Sequence, residues 1–199
     1  MKILVIGGTG TLGKAVVSAL GDNHNVITAG KTRGDFQVDI TDESSVKALF
    51  ARTGKLDAII STTGSLHFGP LEEMTAEQFN TGLQDKLLGQ VRIALIGKAF
   101  LHDGGSITLT SGIVADEPIR QGANATAVNA AVEGFVRAAA IELPRGLRIN
   151  GVSPTVVEES LEGYGPFFPG FEAAPAVRVA KAYVRSVEGA QTGRIYKVW

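Results

Sequence analysis

The chain has 199 residues, 44% hydrophobic and 20% charged, enough for one substantial core but hardly two, so one domain is expected over residues 1–199. Lysine and arginine total 19 against 20 acidic residues, which leaves no electrostatic footprint for nucleic acid or an anionic membrane and makes small molecules the expected partners. The absence of cysteine excludes disulfide frameworks, thiol nucleophiles and cysteine metal sites, and fits a reducing cytoplasm.

Met1 to Ile6 begins like a secretion signal, but its apolar stretch stops at Gly7 and no small-residue cleavage site follows, so it is read as a first strand. Nowhere is there an uncharged apolar stretch of the roughly 20 residues a bilayer requires. The strand runs directly into Gly7-Gly8-Thr9-Gly10-Thr11-Leu12-Gly13, and Lys14 to Leu20 then has helical spacing. A strand that turns sharply into a helix needs positions without side chains, so that the backbone can approach a pyrophosphate and the helix N-terminus can face its charge.

Short β-type runs alternate with helical patterns along the chain, the arrangement that produces right-handed crossovers and a parallel sheet covered on both faces. The expected strands are Lys2 to Ile6, Asn25 to Ala29, Phe36 to Val38, Asp57 to Ser61, Ser106 to Thr110, Leu147 to Val152 and Arg194 to Val198. Thr75-Ala76-Glu77-Gln78 is a capping box that opens a long helix running towards Phe100, and Gly104-Gly105 is read as the end of the connection after it. From Ala123 to Leu143, Val128, Val132, Phe135, Val136 and Ile141 recur at helical spacing, a face suited to close packing. Tyr164 to Pro175, rich in Gly, Pro and Phe, reads as an ordered loop or lid.

The second strand ends in Ala29-Gly30-Lys31-Thr32-Arg33, where NAD-binding proteins usually carry an acid for the ribose 2′-hydroxyl. An open glycine followed by two cations has nothing to repel a 2′-phosphate, and Lys31 and Arg33 can pair with one. The same two cations can also simply solvate a surface loop. Together with the glycine turn they favour NADP(H) over NAD(H). Asp35 lies too far into the next segment to be the preferred ribose acid.

With these landmarks the chain resembles the short-chain dehydrogenase/reductase family over nearly its whole length. The matching segments appear in order: the glycine turn; Asp39-Ile40; Ser61-Thr62-Thr63-Gly64; Gly105-Ser106-Ile107 leading to Thr110; Ala131-Val132-Glu133-Gly134-Phe135; and Arg148-Ile149-Asn150-Gly151-Val152-Ser153-Pro154. The resemblance implies a Rossmann-like, doubly wound parallel sheet in the order 3-2-1-4-5-6-7. It also implies a homodimer or homotetramer built on the helices that begin near Thr75 and Ala123. It implies cofactor contacts from Gly7, Thr9, Gly10, Thr11, Leu12, Gly13, Gly30, Lys31, Arg33, Asp39, Ile40, Ser61, Thr62, Thr63, Gly64 and Thr110, with Pro154, Thr155, Val156 and Val157 lining the nicotinamide. Thr11 stands where many members keep a middle glycine. The chain is short for the family, which implies a small or shallow substrate cavity.

Family catalysis uses a tyrosine acid, a lysine one helical turn later, an orienting serine and an upstream asparagine. Aligned without gaps, the tyrosine and lysine positions fall on Ala125 and Asn129, the serine position on Gly112 beside Ser111, and the asparagine position on Lys86. An alanine methyl has no proton to give, so the usual acid step cannot run unchanged. General acids contribute about 10²–10⁴-fold, whereas positioning supplies effective molarities of roughly 10⁵–10⁸ M, so hydride transfer survives their loss. Tyr164 is the expected replacement donor and Ser111 the expected orienting group. His67 is a further possible donor, while Lys86 is read as a surface lysine, with polarisation of a bound water as the alternative. No metal site, nucleophile elbow or Walker lysine is present in the sequence. The favoured reading is an NADP(H)-dependent oxidoreductase of a small carbonyl or alcohol; the alternative is a catalytically inactive NADP(H)-binding sensor or assembly protein.

Overall fold

A computed structural model describes residues 1–199. Seven parallel strands form one sheet in the order β3-β2-β1-β4-β5-β6-β7. They are β1 (Lys2–Ile6), β2 (Asn25–Gly30), β3 (Phe36–Gln37), β4 (Leu56–Ser61), β5 (Leu101–Thr110), β6 (Arg148–Pro154) and β7 (Ile195–Val198). The helices are α1 (Thr11–Gly21), α2 (Glu43–Thr53), α3 (Ala76–Gly82), α4 (Leu88–Gly97), α5 (Ala123–Glu142), α6 (Leu161–Tyr164) and α7 (Ala176–Glu188). This is the Rossmann-like, doubly wound arrangement that the alternation of β and α patterns demands.

Alternate residues of the central strands feed two opposite cores, because side chains switch face at every step of a strand. Leu4 and Ile6 join Ile59, Phe50, Ile93 and Val132 on the side of α2, α4 and α5. Ile3 and Val5 join Val16, Leu20, Ile60 and Tyr183 on the side of α1 and α7. Both faces of the sheet are thereby dry, which explains the near-continuous apolar runs in β1 and β4.

Three local readings change. The helix expected from Thr75 towards Phe100 does open on a capping box at Thr75, but a π-helical stretch, Leu83–Leu87, interrupts it between α3 and α4. Side-chain periodicity cannot reveal such a stretch, since one wider turn leaves the apolar pattern nearly intact. Gly104 and Gly105 do not end a loop; they lie inside β5, which starts at Leu101 paired with Leu56, and the register shifts between Leu56 and Ala58. Gly104 takes φ +76°, the backbone conformation that glycine allows in an irregular strand. On α5, Val128, Val132 and Val136 are buried as the pattern requires, whereas Ile141 is 86% exposed.

Tyr164 to Pro175 is ordered. Tyr164 closes α6, a single helical turn follows from Gly165 to Phe167, and Val157 bridges Ala174 in parallel.

Candidate functional site

β1 ends at Gly7, whose φ of +87° turns the chain out of the sheet. The Gly7 amide donates to Ala29 O at 2.7 Å, and its carbonyl accepts from Gly10 N at 2.9 Å. A Cβ at Gly13 would fall onto the Gly7 carbonyl oxygen, and one at Gly7 would lie 2.7 Å from Thr62 Oγ1. Both positions therefore require glycine, and the first turn of α1 is pressed against the end of β1. α1 begins after Gly10 with no side-chain cap and no acid in its first turn. Its leading N–H groups and the positive end of its dipole are thus left to an external anion. Thr9 and Thr11 belong to this turn, while Leu12 packs its side chain on the α1/α7 core.

On one side of the turn, a cavity of about 240 Å³ opens at the ends of β2 and β4, lined by Gly30, Lys31, Asp39, Ile40, Thr63 and Gly64 among others. Lys31 Nζ lies 3.0 Å from Asp39 Oδ2. The Thr41 hydroxyl and then the Lys31 ammonium hold the Asp39 carboxyl down to about 2, and Asp39 in return raises Lys31. Arg33, two residues after Lys31, is exposed. Asp35 is committed elsewhere, since its Oδ2 accepts from the Thr28 amide at 2.8 Å and hydroxyl at 2.9 Å. The Ser61 and Thr63 hydroxyls pair at 2.8 Å, and Thr62 Oγ1 donates to Ile6 O at 3.2 Å, so this loop is tied back to β1.

Gly64 also lines a second cavity, of about 210 Å³, over the ends of β5 and β6. Pro154, Thr155, Val156 and Val157 form one wall, Ser111, Gly112 and Asn129 the floor, and Leu66, Phe68, Tyr164 and Phe168 the apolar side. Phe68 meets the Tyr164 ring edge-on at 5.8 Å and the Phe167 ring at 5.0 Å. The glycine turn and the two hollows, which meet at Gly64, all lie at the carboxyl ends of the strands, the side on which open α/β sheets take ligands.

The polar groups of the second cavity are unevenly available. Ser111 is buried, and its hydroxyl donates into the core to Glu133 Oε1 at 2.9 Å. Glu133 is itself held by Arg137 at 2.8 Å. Thr110 lies below the cavity, where its hydroxyl donates to Ser61 O at 2.5 Å and pairs with Tyr183 Oη at 2.6 Å. Burial pushes that tyrosine hydroxyl far above its ordinary range. Tyr164 is 47% exposed at the mouth of the cavity. The His67 ring packs against Gly69 and is not part of the lining. Ala125 is fully buried. Asn129, one turn further along α5, donates from Nδ2 to Ala125 O at 2.8 Å and leaves its buried Oδ1 without a partner.

Lys86 corrects the reading of a surface lysine. It sits in the π-helical stretch, lines the cavity, and directs Nζ to Ser111 O at 3.4 Å. Burial lowers its ammonium to about 8, with the Asp85 carboxylate opposing the shift. The signal in the sequence was the glycine at position 64, because a Cβ there would lie 2.6 Å from Lys86 Cβ and Cγ.

Residues 14–190 match a family model described as enoyl-(acyl carrier protein) reductase. Among solved structures, the protein lin1944 from Listeria innocua is 51% identical over the whole of both chains, with a TM-score of 0.98. A small-chain dehydrogenase crystallised in complex with NADPH is 28% identical, with a TM-score of 0.89, over 100% of this chain and 96% of that one. Among curated proteins, the short-chain dehydrogenase/reductase ATR9 of Stachybotrys chlorohalonatus is 28% identical over 91% of this chain and 82% of its own length. Hydroxynaphthalene reductase arp2 of Aspergillus fumigatus is 29% identical over 68% of this chain, which spans only 50% of that reductase. The glycine turn, the strand order and these matches agree: the chain belongs to the short-chain dehydrogenase/reductase family, oxidoreductases that use a nicotinamide cofactor.

Proposed function

We propose that the chain is an NADP(H)-dependent oxidoreductase acting on a small carbonyl or alcohol, with a non-standard proton donor, and that residues 1–199 form one dinucleotide-binding unit. The observation that carries this reading is the uncapped start of α1 over a turn that only glycine fits at Gly7 and Gly13, at the same carboxyl edge of the sheet as two cavities that share Gly64. The residues present fit a dinucleotide. Gly7, Thr9, Gly10, Thr11, Leu12 and Gly13 would cradle the pyrophosphate, while Gly30, Asp39, Ile40 and the loop from Ser61 to Gly64 would enclose the adenosine; Thr110, at the end of β5, would lie beneath the nicotinamide half. Lys31 and Arg33 supply the positive charge that a 2′-phosphate selects, which favours NADP(H) over NAD(H). The NADPH in the structure of the 28% identical small-chain dehydrogenase supports the same choice. Pro154 to Val157 would flank the nicotinamide, and the unpaired Asn129 Oδ1 offers an acceptor for a hydroxyl or amide donor.

When bound, the cofactor supplies the hydride. The protein's part is to hold the substrate carbonyl in the apolar hollow under Phe68 and Phe168, exclude water and provide one proton. Ala125, at the family's tyrosine position, has no proton to provide. A homodimer or homotetramer is part of the proposal, because Leu95 on α4 and Ile141 on α5 are 51% and 86% exposed on the helices that the family uses for association.

Titration with NADPH tests the grip. Trp199, whose Nε1 donates to Ser153 O at 3.1 Å, stands beside Pro154, so bound reduced nicotinamide is expected to quench its emission. Steady NADPH consumption with a member of a carbonyl panel supports the enzyme. Tight binding without turnover supports a non-catalytic binding protein, and no saturable signal at millimolar nucleotide refutes both.

A further inference from the structure

The missing acid leaves a chemical vacancy that the chain itself fills. Carbonyl reduction adds one hydride to carbon and one proton to oxygen, and the proton must come from a group that faces the reacting oxygen and can be reprotonated. Of the side chains lining the cavity, only Lys86 and Tyr164 carry an ionisable group. Tyr164 is half exposed and set edge-on against Phe68 at the rim. The Ser111 hydroxyl hydrogen is spent on Glu133, and the Thr155 hydroxyl donates to Glu172 O at 2.9 Å.

Lys86 is placed differently. The π-helical stretch Leu83–Leu87 lays its stem across Gly64, whose φ is +124° and where a Cβ would come within 2.6 Å of Lys86 Cβ and Cγ. Its Nζ reaches the floor of the cavity, held by a single long contact to Ser111 O, with no carboxylate within ion-pairing distance. The charged groups around it are few. Asp85 turns an oxygen to the Ser65 amide at 3.1 Å, and Glu133 lies behind Ser111, neutralised by Arg137.

On the oxidoreductase reading above, we infer that Lys86 is the catalytic proton donor, its ammonium giving a proton to the substrate oxygen in the cavity floored by Ser111 and Asn129. As the substrate carbon gains the hydride from the reduced nicotinamide, one N–H bond of Nζ breaks and the alcohol O–H forms. Lys86 is left as a neutral amine and regains its proton from water. In the reverse direction the same amine accepts the alcohol proton. The lowered ammonium suits both directions near neutral pH, where donor and acceptor forms are each accessible.

The test uses the full chain and two independent readouts. The first is lysine acetylation by acetic anhydride against pH, mapped by mass spectrometry with and without NADPH. Lys86 is expected to titrate at least one unit below the other lysines. The second is NADPH oxidation with a panel of aryl aldehydes and cyclic ketones, comparing wild type, Lys86→Met and Lys86→Arg on the fastest substrate found. Both variants are expected to lose about 10²–10⁴-fold in kcat, and to lose the alkaline fall of the wild-type profile, while NADPH affinity changes less than threefold. If wild type turns over and Lys86→Met keeps its rate within tenfold with the same alkaline limb, the donor assignment is overturned and the oxidoreductase reading stands. Titration of Lys86 together with the other lysines overturns the assignment as well. If wild type binds NADPH and Lys86 titrates low but no carbonyl is reduced, the oxidoreductase reading fails and the donor role falls with it.

Discussion

Replacing Lys86 by methionine should stabilise the fold at neutral pH. The stem of Lys86 is already packed against Gly64, and methionine retains most of that length, so the change removes chiefly a desolvated charge. Burial lowers the ammonium from 10.5 to about 8. At 1.36 kcal/mol per unit, that displacement corresponds to a penalty on the folded state of roughly 3 kcal/mol. Partial contact with cavity water makes about 2 kcal/mol the working figure. The sign follows from proton linkage: between pH 8 and 10.5 the unfolded chain binds more protons than the folded one, so wild-type stability rises with pH across that window. Below pH 8 both states carry the charge and the penalty is complete. For a chain of this size, 2 kcal/mol is worth about 4–8 °C in Tm. Calorimetry at pH 6.5, 8, 9.5 and 10.5 should therefore show Lys86→Met melting above wild type by that margin at the two lower values, with the gap closing at the upper two. A variant that melts below wild type at pH 6.5, or a difference that does not change with pH, refutes the claim that this amine is held desolvated.

The remaining predictions concern the walls of the two cavities. Gly64→Ala puts a methyl 2.6 Å from Lys86 Cβ and Cγ at a φ of +124°, so it should cost at least about 2 kcal/mol in urea unfolding and shift the Lys86 titration. Gly13→Ala, whose methyl would collide with the Gly7 carbonyl, should abolish saturable NADPH quenching of Trp199 while the far-UV spectrum stays that of a folded α/β protein. Lys31→Ala with Arg33→Ala should weaken NADPH at least tenfold, about 1.4 kcal/mol, and leave NADH within threefold; equal losses for both nucleotides would remove the 2′-phosphate role. Glu133→Ala should cost about 1–3 kcal/mol, read as a lower urea midpoint, because it strips the buried Ser111 hydroxyl of its acceptor.

The sheet was legible because its causes are local. Both faces of β1 and β4 are covered, so their central runs, Ile3 to Ile6 and Ala58 to Ile60, are apolar, and a reader needs no contact information to place them. Gly7 and Gly13 were legible for the same reason: a strand-to-helix turn this tight excludes every side chain, so the requirement is written directly in residue identity. Position 104 misled because glycine marks an irregularity in a strand as readily as the end of a loop. Only the pairing of Leu101 with Leu56 decides between them, and that pairing is a long-range fact.

The site divides along the same line. Lys86 looked like one more polar residue on an amphipathic helix, because the widened turn that carries it leaves no trace in the spacing of Leu83, Leu87 and Leu88. Its partner, Gly64, carried the missing information, yet it was assigned to the cofactor alone. The two positions lie 22 residues apart in sequence and are in steric contact, so neither explains itself without the other. Ser111 shows the converse. Its residue type suits an orienting hydroxyl, and its place beside the cavity is as expected, but the buried Glu133 on α5 draws the hydroxyl inward. A carboxylate acceptor in a dry interior is a stronger claimant than a transient substrate oxygen, since leaving it unpaired carries the full desolvation cost. Proton donation is thereby denied to the serine by a core interaction and left to the amine that the π-helical turn delivers from the opposite wall.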